Sequence, residues 1–270
     1  MVKAILASLS GALQARIGHI YDNFIIKKIS PPDDSSFIGD GDFEQIGQEF
    51  LSFFIKFGNL QPTDKVLDVG CGIGRMALPL TQYLNRKGQY VGFDIMPTGV
   101  DWCRAHINSK FPNFIFRLAD VYNEYYNPTG LYQASVYKFP YRNESFDFVF
   151  LTSVFTHMLP LDLENYLSEI ARVLKKGKRC FITYFLLNTE SVYNMECKLS
   201  QLSFSKEYPN YHTLDNACSE EAIAYNENYI IDLYAKYKLD ILKPLQYGFW
   251  CGRKDHLTYQ DVIIAERSRG

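Results

Sequence analysis

The stretch Val66-Leu67-Asp68-Val69-Gly70-Cys71-Gly72-Ile73-Gly74-Arg75 decides how this chain folds. Residues 65–69 form a short apolar run that reads as a buried strand. Three alternating glycines follow at once. Residues 75–86, with Met76, Leu78, Leu80 and Leu84 at helical spacing, then read as a helix closed by Gly88. Glycines at such a place permit a tight turn and let a ligand approach the backbone. The helix N-terminus beyond presents N–H groups that have no intrahelical partner.

The same alternation continues outward. Residues 89–93 read as a second strand, 100–109 as a helix, 113–118 as a third strand and 146–151 as a fourth. Residues 162–174 read as a strong helix, with Leu163, Tyr166, Leu167, Ile170, Val173 and Leu174 on one face. Lys175 and Lys176 suit its negative end and Gly177 its cap. Residues 179–185 make a fifth strand; a helix at 228–237 and strands at 241–247 and 259–266 follow. Strands alternating with helices imply a doubly wound, mostly parallel sheet.

Residues 1–60 read as a helical N-terminal arm or lid of the same domain. Ile5, Leu9, Leu13 and Ile17 recur every four residues, residues 31–42 are turn chemistry, and residues 43–60 keep helical period up to a stop at Gly58. Residues 61–270 carry the sheet. Two segments break its rhythm, 120–135 and 187–226. Extra segments beyond the C-terminal ends of parallel strands carry binding elements, so both are expected to form a substrate cap.

Composition narrows the function. The 270 residues, 47% hydrophobic and 21% charged, suit a globular chain with a full core. A net charge of -2 gives no basic footprint, so nucleic acid is not an expected partner. No run approaches the roughly 18 apolar residues that span a bilayer, so no membrane partner is expected. The six cysteines include no CxxC pair and no Cys/His cluster at zinc spacing; reduced thiols and no metal site are expected. The apolar start is short and broken by Ser8, Ser10 and Gly11, which does not suit a signal peptide and points to the cytoplasm.

Asp94 ends the second strand, 20 residues beyond Gly74, where a carboxylate accepts hydrogen bonds from a ribose diol. A dinucleotide loop would read GxGxxG. Here the third glycine comes one residue early, and Arg75 stands where that loop wants glycine. Asp68, just before the loop, would repel a pyrophosphate but bind the ammonium of an amino acid. The two carboxylates favour a ligand with a ribose and a cationic amino-acid tail.

These residues resemble a known family. Val66 to Arg75 is similar to motif I of class I S-adenosylmethionine-dependent methyltransferases of the small-molecule type, and Gly92-Phe93-Asp94-Ile95 to their second motif. Residues 145–150 resemble the family's fourth strand, and residues 174–179 its junction into strand five. The resemblance runs from about Asp64 to Phe185. It implies a Rossmann-like α/β fold with a seven-stranded sheet and an antiparallel final strand. It implies S-adenosylmethionine as cofactor and S-adenosylhomocysteine as product. By the resemblance, Asp68, Gly70, Cys71, Gly72 and Gly74 hold the methionine part and the approach to the ribose. Asp94 binds the ribose hydroxyls, Ile95 packs on adenine, and Thr152 and Ser153 lie near the sulfonium. Arg75 either reaches the cofactor carboxylate or is a surface residue opening the helix. The family's acidic and small pair before a Leu-Pro-Phe-like turn is missing: Ala134, Ser135 and Val136 precede Phe139-Pro140-Tyr141. Either Asp120 or Ser135 meets the adenine.

A sulfonium is already an activated methyl donor, so the protein has mainly to align a nucleophile. Alcohols, phenols and ammonium groups need a base; a carboxylate needs none. His157, just after strand four, is the candidate base, with a satisfied structural histidine as the other reading. Tyr21, Phe155, Tyr184, Trp250 and Arg253 are candidate acceptor contacts, each with core, turn or surface as its alternative. The expected reaction is methyl transfer to oxygen or nitrogen of a small organic or short-peptide natural product. Carboxylate O-methylation by proximity and methylation of a protein are alternatives. A cofactor-binding module without transfer and a nicotinamide oxidoreductase are the competing classes.

Overall fold

The computed structural model describes residues 42–214 and 218–270. Helix α1 (Phe43–Lys56) starts where the Asp42 carboxylate accepts the Gln45 amide at 2.8 Å. Strand β1 (Lys65–Val69), helix α2 (Ala77–Tyr83) and strand β2 (Gln89–Asp94) follow. Helix α3 (Pro97–Cys103) runs on as one π-helical stretch, Arg104–Asn108, before β3 (Phe114–Leu118). Then come β4 (Phe146–Leu151), α4 (Pro160–Val173) and β5 (Leu174–Tyr184). A smaller unit holds β6 (Leu186–Leu187), α5 (Thr189–Glu196), β7 (Lys206–Glu207), β8 (Tyr211–Thr213) and β9 (Ile223–Asn226). Helix α6 (Glu227–Lys236) and strands β10 (Leu239–Ile241) and β11 (Asp261–Arg267) close the chain.

The main sheet has seven strands in the order β10-β11-β5-β4-β1-β2-β3. Strand β11 runs antiparallel to β5 and β10; the other neighbouring pairs are parallel. The chain thus has the expected Rossmann-like sheet with an antiparallel last strand. The strand order reverses between β1 and β4, and ligands bind outside the carboxyl ends of the strands at such a point.

Both faces of the sheet are covered, which is why β1 and β4 are apolar almost throughout. On one face Phe50, Phe53 and Phe54 of α1 and Leu80 of α2 pack on Val66, Phe148, Phe150 and Phe181. The Phe54 ring lies 4.4 Å from Phe150 and meets Phe181 edge-on at 5.1 Å. On the other face Leu163, Leu167 and Ile170 of α4 and Ile230 and Leu233 of α6 cover Leu67, Val149, Ile182 and Ile263.

Three expectations need correction. Helix α4 ends at Val173, and Gly177 is no helix cap; it sits inside β5 with φ +70. Lys175 and Lys178 face acids of the neighbouring strand end instead, Lys175 at 2.9 Å from Asp147 and Lys178 at 3.3 Å from Asp64, and these pairs favour extended backbone. The segment 187–226, expected to be irregular, holds helix α5 and contributes to a second sheet, β6-β9-β8-β7. The strand expected at 241–247 ends at Ile241 and returns only as a bridge between Gln246 and Val262. The first 41 residues of the expected arm, Tyr21 among them, lie outside the described residues. No helix among the described residues is long and apolar enough to cross a membrane.

Candidate active site

A cavity of 1320 Å³ opens beyond the C-terminal ends of β1, β2 and β4. Pockets for one small ligand run to about 1,000 Å³, so this one has room for two reactants. Its floor is the glycine loop. The amides of Gly70 and Cys71 donate to the Phe93 carbonyl at 2.9 and 3.1 Å, which ties the loop to the end of β2. Gly70 has φ +85, and a Cβ there would lie 2.2 Å from Val154 Cγ2. Gly72 has φ +50, and a Cβ there would meet open space. Gly74 stands outside the cavity wall, beside Ile107 and Cys103.

Two carboxylates flank this loop. Asp94 accepts the Gly72 amide at 2.6 Å and the Met96 amide at 2.8 Å. Burial raises its pKa, and those backbone bonds oppose the rise. Asp68 is 1% exposed, and the Tyr90 hydroxyl donates to its Oδ2 at 2.5 Å. Its Oδ1 has no hydrogen-bond partner among the described residues. Burial, with the Asp94 charge adding to it, pushes Asp68 up to about 8 against the Tyr90 bond. An ammonium placed there would satisfy the free oxygen and supply the missing counter-charge, so this wall fits an amino-acid tail. Cys71, Arg75 and Ile95 also line the cavity. The Arg75 guanidinium stands 5.7 Å from the centre of the Phe43 ring, and burial lowers its pKa.

Beyond β4, Thr152 and Ser153 line the cavity. Ser153 has φ +60; its amide donates to Thr183 Oγ1 at 2.7 Å and its hydroxyl accepts from Gln260 Nε2 at 2.9 Å. His157 closes a short 3-10 turn, Phe155–His157. Its Nδ1 lies 3.1 Å from the Glu220 carbonyl oxygen. A carbonyl only accepts, so Nδ1 carries the proton and Nε2 is the acceptor, receiving the Tyr126 hydroxyl at 3.5 Å. Burial lowers the histidine pKa, which keeps the ring neutral near pH 7.

The insertion after β3 supplies partners that sequence reading missed. Asn123 is buried; its Nδ2 donates to the His157 carbonyl at 2.9 Å, and its Oδ1 accepts the amides of Tyr126 at 2.8 Å and Tyr125 at 3.2 Å. The Glu220 carboxylate accepts the Glu124 amide. Burial first, and then the charges of Asp162 and Glu124, push Glu220 up to about 7. The only sequence signal was the density of Tyr and Asn in this segment.

The adenine contacts sought at Asp120 and Ser135 are corrected by the geometry: neither residue lines the cavity. The Asp120 carbonyl accepts the Leu131 and Tyr132 amides at the base of the insertion. The Ser135 amide is bonded to Asp162, and it is Asp162 together with Ala134 that reaches the wall.

The acceptor contacts sought at Phe155, Tyr184, Trp250 and Arg253 are corrected likewise, because all four are buried away from the cavity. Phe155 packs on Tyr184, whose hydroxyl is 3.0 Å from that of Tyr234. The Trp250 indole donates to Asp261 at 2.7 Å. Arg253 is bonded to Asp261 at 2.8 Å, Glu190 at 2.9 Å and Asn188 at 2.9 Å. Tyr184, Trp250 and Arg253 thus have their side-chain polar groups bonded inside the protein.

Residues 67–182 match the family model of a methyltransferase domain. An arsenite methyltransferase of Mus musculus is 27% identical over 119 residues, 44% of this chain and 30% of that protein. The aligned stretch therefore spans less than a third of the length of this curated relative. The PH0226 protein of Pyrococcus horikoshii OT3 superposes with a TM-score of 0.58 at 16% identity, covering 85% of this chain and 93% of that one. The 1,6-didemethyltoxoflavin-N1-methyltransferase of Burkholderia thailandensis, solved with S-adenosylhomocysteine bound, gives 0.52 at 14% identity, covering 85% and 80%. Identities this low speak to the fold, and the fold agrees with the family match. Residues 67–182, less than half of the chain, match a methyltransferase domain, and the fold of the chain is that of these solved structures.

Proposed function

We propose that this protein transfers a methyl group from S-adenosylmethionine to an oxygen or nitrogen of a small organic or short-peptide acceptor. The observation that carries the reading is the free, buried Oδ1 of Asp68 in the wall that also holds Asp94 and the glycine loop. A dinucleotide sets its pyrophosphate against such a glycine loop, whereas an amino-acid tail offers an ammonium. When bound, the cofactor supplies a methyl group already activated by its sulfonium. The chain has then to hold the two reactants in line and to remove a proton where the acceptor carries one.

In this reading Asp68 receives the ammonium, Asp94 the ribose hydroxyls, and His157 Nε2 the acceptor's proton. The neutral tautomer set by the Glu220 carbonyl is the form that a base needs. A polyanionic acceptor suits the cavity poorly, since Asp94, Asp162 and Glu220 all line it. We place the reaction in the cytoplasm, as a tailoring step on a natural product.

Calorimetric titration with S-adenosylhomocysteine, with NAD as control, tests the cofactor assignment. Micromolar binding that is lost in Asp94→Ala is expected. Binding of NAD in its place would overturn the reading.

A further inference from the structure

We propose that the methyl acceptor is an amine, whose ammonium is received by the Glu220 carboxylate and the rings of Tyr125 and Tyr126 beside His157 Nε2. The inference rests on the methyltransferase reading above and names the substrate class of that same site. Charge is its first ground. Among the described residues, Arg75 is the only Lys or Arg lining the cavity, and it stands at the glycine-loop end. Glu49, Asp68, Asp94, Asp162 and Glu220 line the same cavity. The unpartnered oxygen of Asp68 already calls for one ammonium, that of the cofactor. Near His157, Glu220 and Asp162 have no Lys or Arg beside them among the described residues of the cavity wall. Glu220 is 5% exposed; burial first, and then the charges of Asp162 and Glu124 crowded around it, raise its pKa. A cationic guest relieves that crowding; an anionic one adds to it.

The rings give the second ground. Tyr126 stands perpendicular to both of its neighbours, at 84° and 4.8 Å from Tyr125 and at 88° and 5.1 Å from His157. Tyr125 lies parallel to the His157 ring, 10° apart in plane and 6.5 Å in distance. Three rings thus form a corner at the reacting edge of the histidine. Aromatic faces beside a carboxylate attract ammonium groups and carry no special affinity for an alcohol or a carboxylate. The corner is fixed rather than adaptive, because Asn123 ties both tyrosine amides to the His157 carbonyl.

The chemistry balances. The ammonium gives one N–H proton to His157 Nε2, which frees the nitrogen lone pair. The nitrogen bonds to the methyl carbon while the carbon–sulfur bond breaks and its electron pair stays on sulfur. The methylated nitrogen leaves as an ammonium with one hydrogen replaced by methyl, and His157 returns its proton to water.

The test uses the full chain saturated with S-adenosylhomocysteine at pH 8. Phenethylamine, 2-phenylethanol and 3-phenylpropanoate share one scaffold and differ in the reacting group. Calorimetry should show phenethylamine binding at least tenfold tighter than either of the others. Glu220→Gln keeps an acceptor oxygen for the Glu124 amide but loses the charge; it should weaken the amine about tenfold and leave the alcohol unchanged. Tyr126→Leu should weaken the amine severalfold. Equal or tighter binding of the alcohol or the carboxylate overturns the proposal, and so does an amine that fails to bind the loaded protein. Failure of S-adenosylhomocysteine itself to bind would strike the underlying reading instead, so the two failures are distinct.

Discussion

The Tyr90 hydroxyl of β2 donates to Asp68 Oδ2 of β1 at 2.5 Å, and it reaches there because the residue opposite Asp68 is Gly92. A Cβ on Gly92 would lie 2.8 Å from that same hydroxyl. The pair fixes one oxygen of Asp68 and leaves the other without a hydrogen-bond partner among the described residues. With Asp68 pushed up to about 8, much of the free protein carries it protonated at neutral pH.

A proton should therefore leave when the cofactor's ammonium arrives. S-adenosylhomocysteine binding below pH 8 should release a proton, and affinity should fall as pH drops from 8 toward 6, by up to about tenfold per unit. Calorimetry in buffers of differing ionisation enthalpy measures the release; its absence would mean that Asp68 does not meet the ammonium. The stability of the free protein has the matching sign. Its folded-state pKa lies above the ordinary carboxylate value of 3.8. The folded chain thus holds the extra proton between the two values, and this contribution is full below the lower one and lost as pH rises through the upper one.

The glycine loop yields a contrast between neighbours. Gly70→Ala sets a Cβ against Val154 at a φ of +85, where left-handed backbone costs about 1–2 kcal/mol and overpacking about 1–3 kcal/mol more. It should lower the unfolding temperature clearly. Gly72→Ala meets open space, so it should cost little beyond the backbone term while weakening S-adenosylhomocysteine binding, since its methyl enters the cavity. Thermal unfolding and calorimetry on the two variants separate these effects. Equal destabilisation by both would refute the assigned packing.

Much of this was legible before any coordinates, because β1, its loop and Asp94 obey local rules. Buried parallel strands read as apolar runs, and a glycine loop needs no partner to be recognised. What escaped was set by long-range pairing. Lys175 and Lys178 look like the basic end of a helix, yet acids on and beside neighbouring strands draw them into β5. Strands β6, β7 and β8 are two or three residues long, too short for alternation to show. Trp250 and Arg253 looked like ligand contacts because a compact aromatic and basic turn is unusual in a connection. The signal that would have placed them is Asp261, a carboxylate buried in the apolar run of the last strand. Asn123 and Glu220 escaped for a related reason: they act on His157 across 34 and 63 residues of chain.

Asp261 should be a stability residue. It is fully buried and accepts from Arg253, Trp250 and the amides of Gly248 and Leu186, at 2.7–2.8 Å. Asp261→Ala would leave the buried Arg253 guanidinium with only the exposed Glu190 as counter-charge, at a cost of about 3–5 kcal/mol. An Arg253→Met, Asp261→Leu double variant should lose less than the sum of the two single changes, since neither charge is then left alone. Urea unfolding measures all three. Additive losses would mean that the two side chains do not act as a pair.

His157 gives the most direct mechanistic test. Burial holds its pKa below the ordinary imidazole value of 6.5, so the acidic limb of the kcat profile should have its midpoint below 6.5. Above that midpoint the ring is neutral and Nε2 accepts; below it the charged ring cannot, and turnover falls. His157→Ala should lower kcat about 100-fold or more with a proton-bearing acceptor, the usual worth of a positioned base. Undiminished turnover would remove the base and leave a carboxylate acceptor as the reading. Asn123→Ala supplies the control for position. It removes the clamp on the His157 carbonyl and on the Tyr125 and Tyr126 amides without touching the imidazole. Water then reaches the ring and desolvation weakens, so the acidic limb should move up toward 6.5 as kcat falls. If kcat falls while the limb stays in place, Asn123 holds the loop alone and the ring keeps its environment by other contacts.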